Sequence, residues 1–245
     1  LPQGFGTEKI EEELAAIFPQ AAIERLDADT ARSSRNYRRI IASFEQRKTN
    51  ILVGTQIITK GFDFGGVALV GILNADNMLN YPDFRAGERA FQMMMQVGGR
   101  AGRREEQGTV VIQTAQPEHP VVRQARDSDY DAMIRSQLAE RRAFFYPPFC
   151  RLIAVLLRHR DHALLWKAAA AFGTEARTRF GRRLLGPEPP AVDRIRGQFR
   201  LQFLLKIEKQ LPVAAVKKEL SGLFDRLHAV PEFRPVDIVV DVDPQ

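Results

Sequence analysis

"NILVGTQIITKGFDF" (Asn50–Phe64) starts as an unbroken apolar run and ends in a polar turn marked by Gly61 and Asp63. An apolar run without period-2 alternation suits a strand covered on both faces, as parallel sheets require. "VALVGILNA" (Val67–Ala75) and "GTVVIQT" (Gly108–Thr114) repeat the pattern. Around these runs the apolar spacing is helical. Ile10, Leu14 and Ile17 share one face, and Tyr37, Ile40, Ile41 and Phe44 share another. Thr7 is expected to cap the first of these helices, whose opening turns carry Glu8, Glu11, Glu12 and Glu13 at the positive end of the dipole. Further helical segments are expected at about 84–98 and 118–143. Strands alternating with helices predict an α/β lobe built on a parallel sheet.

"FFYPPFCRL" (Phe144–Leu152) ends that pattern, because a residue before proline disfavours the helical region. Beyond it the order reads strand, helix, strand, strand, helix, strand, with Pro212 opening the second helix. This predicts a smaller α+β domain, β-α-β-β-α-β, with helices on one face of a mainly antiparallel sheet. The expected domains are therefore 1–146 and 147–245.

Composition narrows the function classes. No apolar run reaches the about 18 residues needed to span a bilayer. The opening "LPQGFGTEKIEEEL" has no basic region followed by an apolar stretch, so no secretory leader is expected. A single cysteine, Cys150, cannot form an internal disulfide and fits a reducing cytoplasm as a buried structural thiol. Four scattered histidines offer no metal-ligand spacing, and His159 with His162 reads as a solvated turn. Net charge is +6 and lies wholly in residues 151–245, which carry 17 basic and 11 acidic side chains against 19 and 19 before them. A basic domain of this kind predicts a polyanionic partner, most simply nucleic acid, against the plainer reading of a soluble basic surface.

"QVGGRAGR" (Gln96–Arg103) holds two arginines three residues apart, each behind a glycine. Arginine is always charged and its forked donors match phosphate oxygens, while glycine admits close backbone approach. The pattern suits charge stabilisation on a transferring phosphoryl group; taken alone it also suits a solvated basic turn. In "GTQIITKGFDF" Thr55 follows a strand and offers a hydroxyl and backbone N–H groups to a phosphate. Asp63 is placed to accept from a ribose hydroxyl, to hold an arginine, or simply to cap its turn.

Together, "GTQIITKGFDF…GGVALVGILNAD" and "PDFRAGERAFQMMMQVGGRAGR" resemble motifs V and VI of superfamily 2 DNA helicases. The linking "NAD…YPDFRAGER", the opening "GFGTEKIEEEL" with "RLDADT", and "FYPPFCRL" are similar to the bacterial replication-restart (PriA) family. The resemblance implies a second RecA-like lobe, P-loop NTPase in type, followed by that family's small C-terminal domain. It implies Arg103 as arginine finger, Arg100 as its partner at the γ-phosphate, and Gln96 as the third motif VI group. Gly61 and Asp63 match the part of motif V that faces the nucleotide. Thr55 matches the contact to the DNA phosphate backbone, with Gln56 and Lys60 assisting.

The implied cofactor is ATP with Mg²⁺. The chain contains no G-x-x-x-x-G-K-[ST] loop, so the site is expected to be completed by an N-terminal lobe, and this chain alone is expected to hydrolyse no ATP. Zinc is expected only in an upstream segment. The implied partners are forked or branched DNA, with replication-restart and single-strand-binding proteins.

In the basic domain, Arg194, Arg196 and Arg200 are the candidate phosphate contacts, since period-2 alternation sends some of them to one face. Phe199 and Phe203 suit either core or a stacking platform. Trp166 and Ala168–Ala171 read as helix packing. The leading expectation is the C-terminal part of an ATP-dependent 3′-to-5′ DNA helicase that restarts replication. A non-enzymatic DNA- or partner-binding scaffold and a different superfamily 2 translocase are the alternatives.

Overall fold

The computed structural model describes residues 6–27, 29–55, 67–99 and 108–244. By contacts the chain divides into two units, one of residues up to Tyr81 with Arg85–Met133, the other of Pro82–Phe84 with the residues from Ile134 onward.

In the first unit, α1 (Thr7–Ile17) precedes β1 (Ile23–Leu26), α2 (Ser34–Glu45) and β2 (Ile51–Gly54). β1 and β2 pair in parallel, Ile23 against Ile51 through Leu26 against Gly54, so α2 is the crossover that parallel pairing demands. Its apolar stripe works as expected: Ile40 and Ile41 are buried with Leu26, and Tyr37 and Phe44 pack beside them. Ser33 caps α2 by accepting from the Asn36 N–H. Thr7 does not cap α1. It is the first helical residue, behind Gly6, and its hydroxyl donates to Asp27 Oδ2 at 2.7 Å.

β3 (Leu69–Ile72), the short α3 (Asp76–Leu79), α4 (Ala86–Gly98) and β4 (Thr109–Ile112) follow. β3 and β4 also pair in parallel. The single sheet expected from the sequence is, among the described residues, two separate two-stranded pairs. Nor are all the apolar strands covered on both faces: Leu69 is 62% exposed and Val111 53%. α4 packs onto β3 through one face, burying Ala86, Ala90, Phe91 and Met94.

The helix expected at 118–143 is two, α5 (Pro120–Arg126) and α6 (Tyr130–Ala143). Ser128 adopts a left-handed φ of 54°, which ends the first helix. Asp129 then starts the second by accepting from the Ala132 N–H at 2.8 Å.

The second unit has the order expected, with one addition. β5 (Cys150–His159), α7 (His162–Phe180), β6 (Leu184–Glu188), β7 (Arg194–Ile195), β8 (Gln198–Glu208), α8 (Val213–Ala229) and β9 (Asp237–Val242) form an antiparallel sheet in the order β6-β8-β5-β9, with β7 hairpinned onto β8. Odd positions of β8 (Leu201, Phe203, Leu205, Ile207) face α7 and α8 and are buried; even positions are not. Ile153, Val155 and Leu157 of β5 lie opposite them in register. Leu165, Ala168, Ala169, Phe172 and Ala176 of α7 close this core with Val216, Leu220, Leu223 and Leu227 of α8. Gly186 breaks the register of β6, since its φ is 98° and a Cβ there would lie 2.5 Å from the Gln202 carbonyl oxygen.

Two stretches far apart in sequence meet in this unit. Phe84 stacks on Tyr146 at 4.7 Å, and the Arg141 guanidinium lies 5.1 Å from the Phe84 ring centre. Lys206 Nζ sits 3.6 Å from the Tyr146 ring centre and donates to the Phe144 carbonyl. Burial lowers the Lys206 pKa and raises that of Cys150, whose thiol is buried and donates to the Phe145 carbonyl at 3.2 Å.

Candidate nucleotide and nucleic-acid sites

Open parallel sheets bind ligands beyond the carboxyl ends of their strands. Thr55 stands at that position, exposed, one residue past β2. Gln96 lies in the last turn of α4, exposed and on the side opposite the buried Ala90, Phe91 and Met94. The helix closes with the Gly99 N–H donating to the Met95 carbonyl at 2.9 Å. In sequence Arg100 follows at once. Arg100 and Arg103, with Gln56, Lys60, Gly61 and Asp63, lie outside the described residues. Gln96 and Thr55 thus both present polar side chains to solvent.

Two aspartates of the resembling stretches are structural latches. Asp76, in "NAD", accepts from the Thr114 hydroxyl at 2.7 Å and the Ala115 N–H at 2.8 Å, joining the segments that follow β3 and β4. The Ala115 N–H is the main reason its pKa is lowered. Asp27, in "RLDADT", is buried and accepts from the Thr30 and Asp29 N–H groups and the Thr7 hydroxyl. The Thr30 backbone bond first, then the Thr7 hydroxyl, hold its pKa at about 2.

In the basic unit the three candidate arginines do not share a face. Arg196 (φ 49°) and Gly197 (φ 79°) are the two-residue loop between β7 and β8, where both positions need positive φ. The turn interrupts the alternation expected along 194–200. Arg196 stands at the tip, exposed, with no hydrogen bond or ion pair to any described residue. Arg194 pairs across the hairpin with Phe199, its guanidinium 4.7 Å from the ring centre. Arg200 faces the other side of the sheet, opposite Arg158, and donates from Nη1 to the Val192 carbonyl at 2.9 Å. It braces the loop before the hairpin.

The alternatives left open by sequence are resolved for the aromatic residues. Phe203 is fully buried against Phe172, whereas Phe199 is half-buried at the rim. Trp166, expected to pack, is 37% exposed. Its Nε1–H donates to Nε2 of His162 at 3.1 Å, so His162 is not simply solvated. The clue in the sequence was the i, i+4 spacing of His162 and Trp166, off the apolar stripe of α7. Among the described residues no group of three or more potential metal ligands gathers, and no described helix is long and apolar enough to cross a membrane.

Residues 6–105 match the helicase conserved C-terminal domain, a match that implies a RecA-like lobe and fits the parallel pairing and the strand-end position of Thr55. Residues 142–245 match the primosomal protein N C-terminal domain. Similar curated proteins include the replication restart protein PriA of Bacillus subtilis, 35% identical over 98% of this chain and 30% of that protein. PriA of Treponema pallidum is 40% identical over 98% of this chain and 36% of its own length, and PriA of Synechocystis 36% identical over 88% and 27%. The chain belongs to the PriA family of replication restart proteins. It spans about a third of the length of the curated relatives it matches.

Proposed function

We propose that the chain supplies the second RecA-like lobe and the basic C-terminal domain of an ATP-dependent 3′-to-5′ DNA helicase that acts at stalled or branched forks and restarts replication in the cytoplasm by primosome assembly. The observation that carries this reading is the joining, in one chain, of a helicase C-terminal match and a primosomal C-terminal match. The lobe, residues 1–146, faces ATP·Mg²⁺ held by a second lobe. Arg103 and Arg100, with Gln96, neutralise charge on the γ-phosphate, and Gly61 and Asp63 line the nucleotide. Thr55, aided by Gln56 and Lys60, holds a DNA phosphate and so couples closure of the cleft to movement along the strand. Zinc belongs to a segment upstream of this one.

Residues 147–245 bind DNA through the hairpin, where Arg194 and Arg196 contact phosphate. Arg200 contributes by holding the preceding loop in place. The chain by itself hydrolyses no ATP, because it has no phosphate-binding loop.

The test is Arg103→Ala in the complete protein. DNA-stimulated ATPase should fall by about 10³-fold or more, as expected for an arginine finger, with DNA binding retained. ATPase that survives the change would remove Arg103 from that role.

A further inference from the structure

Trp166, His162 and Phe199 form a row at one end of the C-terminal unit. The rings of His162 and Trp166 meet edge-on at 6.3 Å, and those of His162 and Phe199 at 5.0 Å. Arg194 extends the row, its guanidinium 4.7 Å from the Phe199 ring centre, and Arg196 is in the two-residue loop that follows β7. Three features separate this row from ordinary packing. Trp166 lies off the buried stripe of α7 and remains 37% exposed. Its indole N–H is satisfied by His162, so the ring is held in one orientation with its polar edge already paired. Of the nearby carboxylates, Asp161 accepts from the Leu164 N–H, Glu232 pairs with Lys167 and Asp237 with Gln198 and Arg158, while Asp193, exposed and next to Arg194 in sequence, forms an ion pair with neither hairpin arginine. Arg196 meets no described carboxylate.

An oriented aromatic ring at one end of a row whose other end carries Arg194 matches a ligand that is both planar and anionic. We propose that Trp166, oriented by His162, is a stacking shelf for an unpaired base of single-stranded DNA whose phosphates lie along Arg194 and Arg196. This rests on the DNA-binding role proposed above and adds to it a preference for exposed bases over duplex. Stacking of one base on an aromatic side chain changes affinity by about 5- to 100-fold and tolerates any sequence.

Trp166 is the only tryptophan of the chain, so its fluorescence reports this shelf alone. The chain is titrated at low salt with a dT oligonucleotide and with an abasic oligonucleotide of equal length and charge, following tryptophan emission and the anisotropy of the labelled strand together. The dT strand should quench Trp166 and bind at least about 5-fold more tightly than the abasic strand. Trp166→Ala should erase that preference while keeping abasic binding. Arg194→Ala with Arg196→Ala should weaken both strands alike. Equal binding and equal quenching by the two strands would overturn the shelf and leave the phosphate contacts standing. A dT preference that survives Trp166→Ala would also overturn it. Failure of both strands to bind would overturn the DNA-binding reading itself.

Discussion

The two units spend apolar surface differently. In the C-terminal unit a ten-residue and an eleven-residue strand pair over ten residues, and two helices seal one face over a continuous core from Ile153 to Val236. Among the described residues of the lobe, four strands of four residues form two separate pairs, and Leu69, Val111 and Leu73 stay more than half exposed. Among the described residues, the second unit therefore holds the larger buried cluster. Long antiparallel strands bring many alternating side chains under one helical layer, whereas a four-residue parallel pair offers only two inward positions per strand.

The contrast can be broken by measurement. Phe203, fully buried and edge-on to Phe172 at 5.0 Å, is central to the C-terminal core. Phe203→Ala should cost about 3–5 kcal/mol, read from urea unfolding followed by far-ultraviolet circular dichroism. A loss below about 1 kcal/mol would mean that this core is looser than its burial indicates.

The next effect lies in the lobe and depends on pH. Asp27 has a native pKa held at about 2, below its ordinary 3.8. A carboxylate depressed in this way stabilises the fold above the unfolded-state pKa, and that stability is lost as pH falls through the native one. The expected contribution is on the order of 2 kcal/mol at neutral pH, fading between about pH 5 and 2. Asp27→Asn should remove that part of the acid dependence, and an unchanged acid limb in the variant would rule it out.

Smallest is Leu69→Ala. At 62% exposure it should change stability by no more than about 0.5 kcal/mol. A cost near that of Phe203→Ala would show that the lobe buries β3 in solution and would erase the contrast.

Much of the fold was legible because its signals are local. The order of elements after Phe149 was readable from its apolar runs and Pro212, and the stripe of Tyr37, Ile40, Ile41 and Phe44 put α2 on its strand pair. The family resemblance likewise came from contiguous stretches. The failures all involve partners that period alone does not encode. Thr7 is an N-cap residue by type, yet its hydroxyl serves Asp27, twenty residues away. The 118–143 stretch has no proline or glycine after Pro120, and its break was signalled only by Asp127-Ser128-Asp129, a run of turn and N-cap residues that the helical reading passed over. Of the candidate site residues, Thr55 and Gln96 are exposed at element ends, and Arg100 and Arg103 lie outside the described residues.

What the sequence determined by itself was the alternation of elements, the apolar stripe of α2, the family and the identity of the charged groups. These follow from neighbours a few residues apart, where backbone geometry alone sets which side chains share a face. Only the tertiary structure decided that Arg196 and Gly197 turn the chain, sending Arg194 onto Phe199 and Arg200 to the opposite face of the sheet. It also decided that Phe84 stacks on Tyr146, and that Trp166 stays at the rim while Phe203 is sealed. Those outcomes depend on which surface arrives from elsewhere in the chain, and strand pairing and helix packing settle that together.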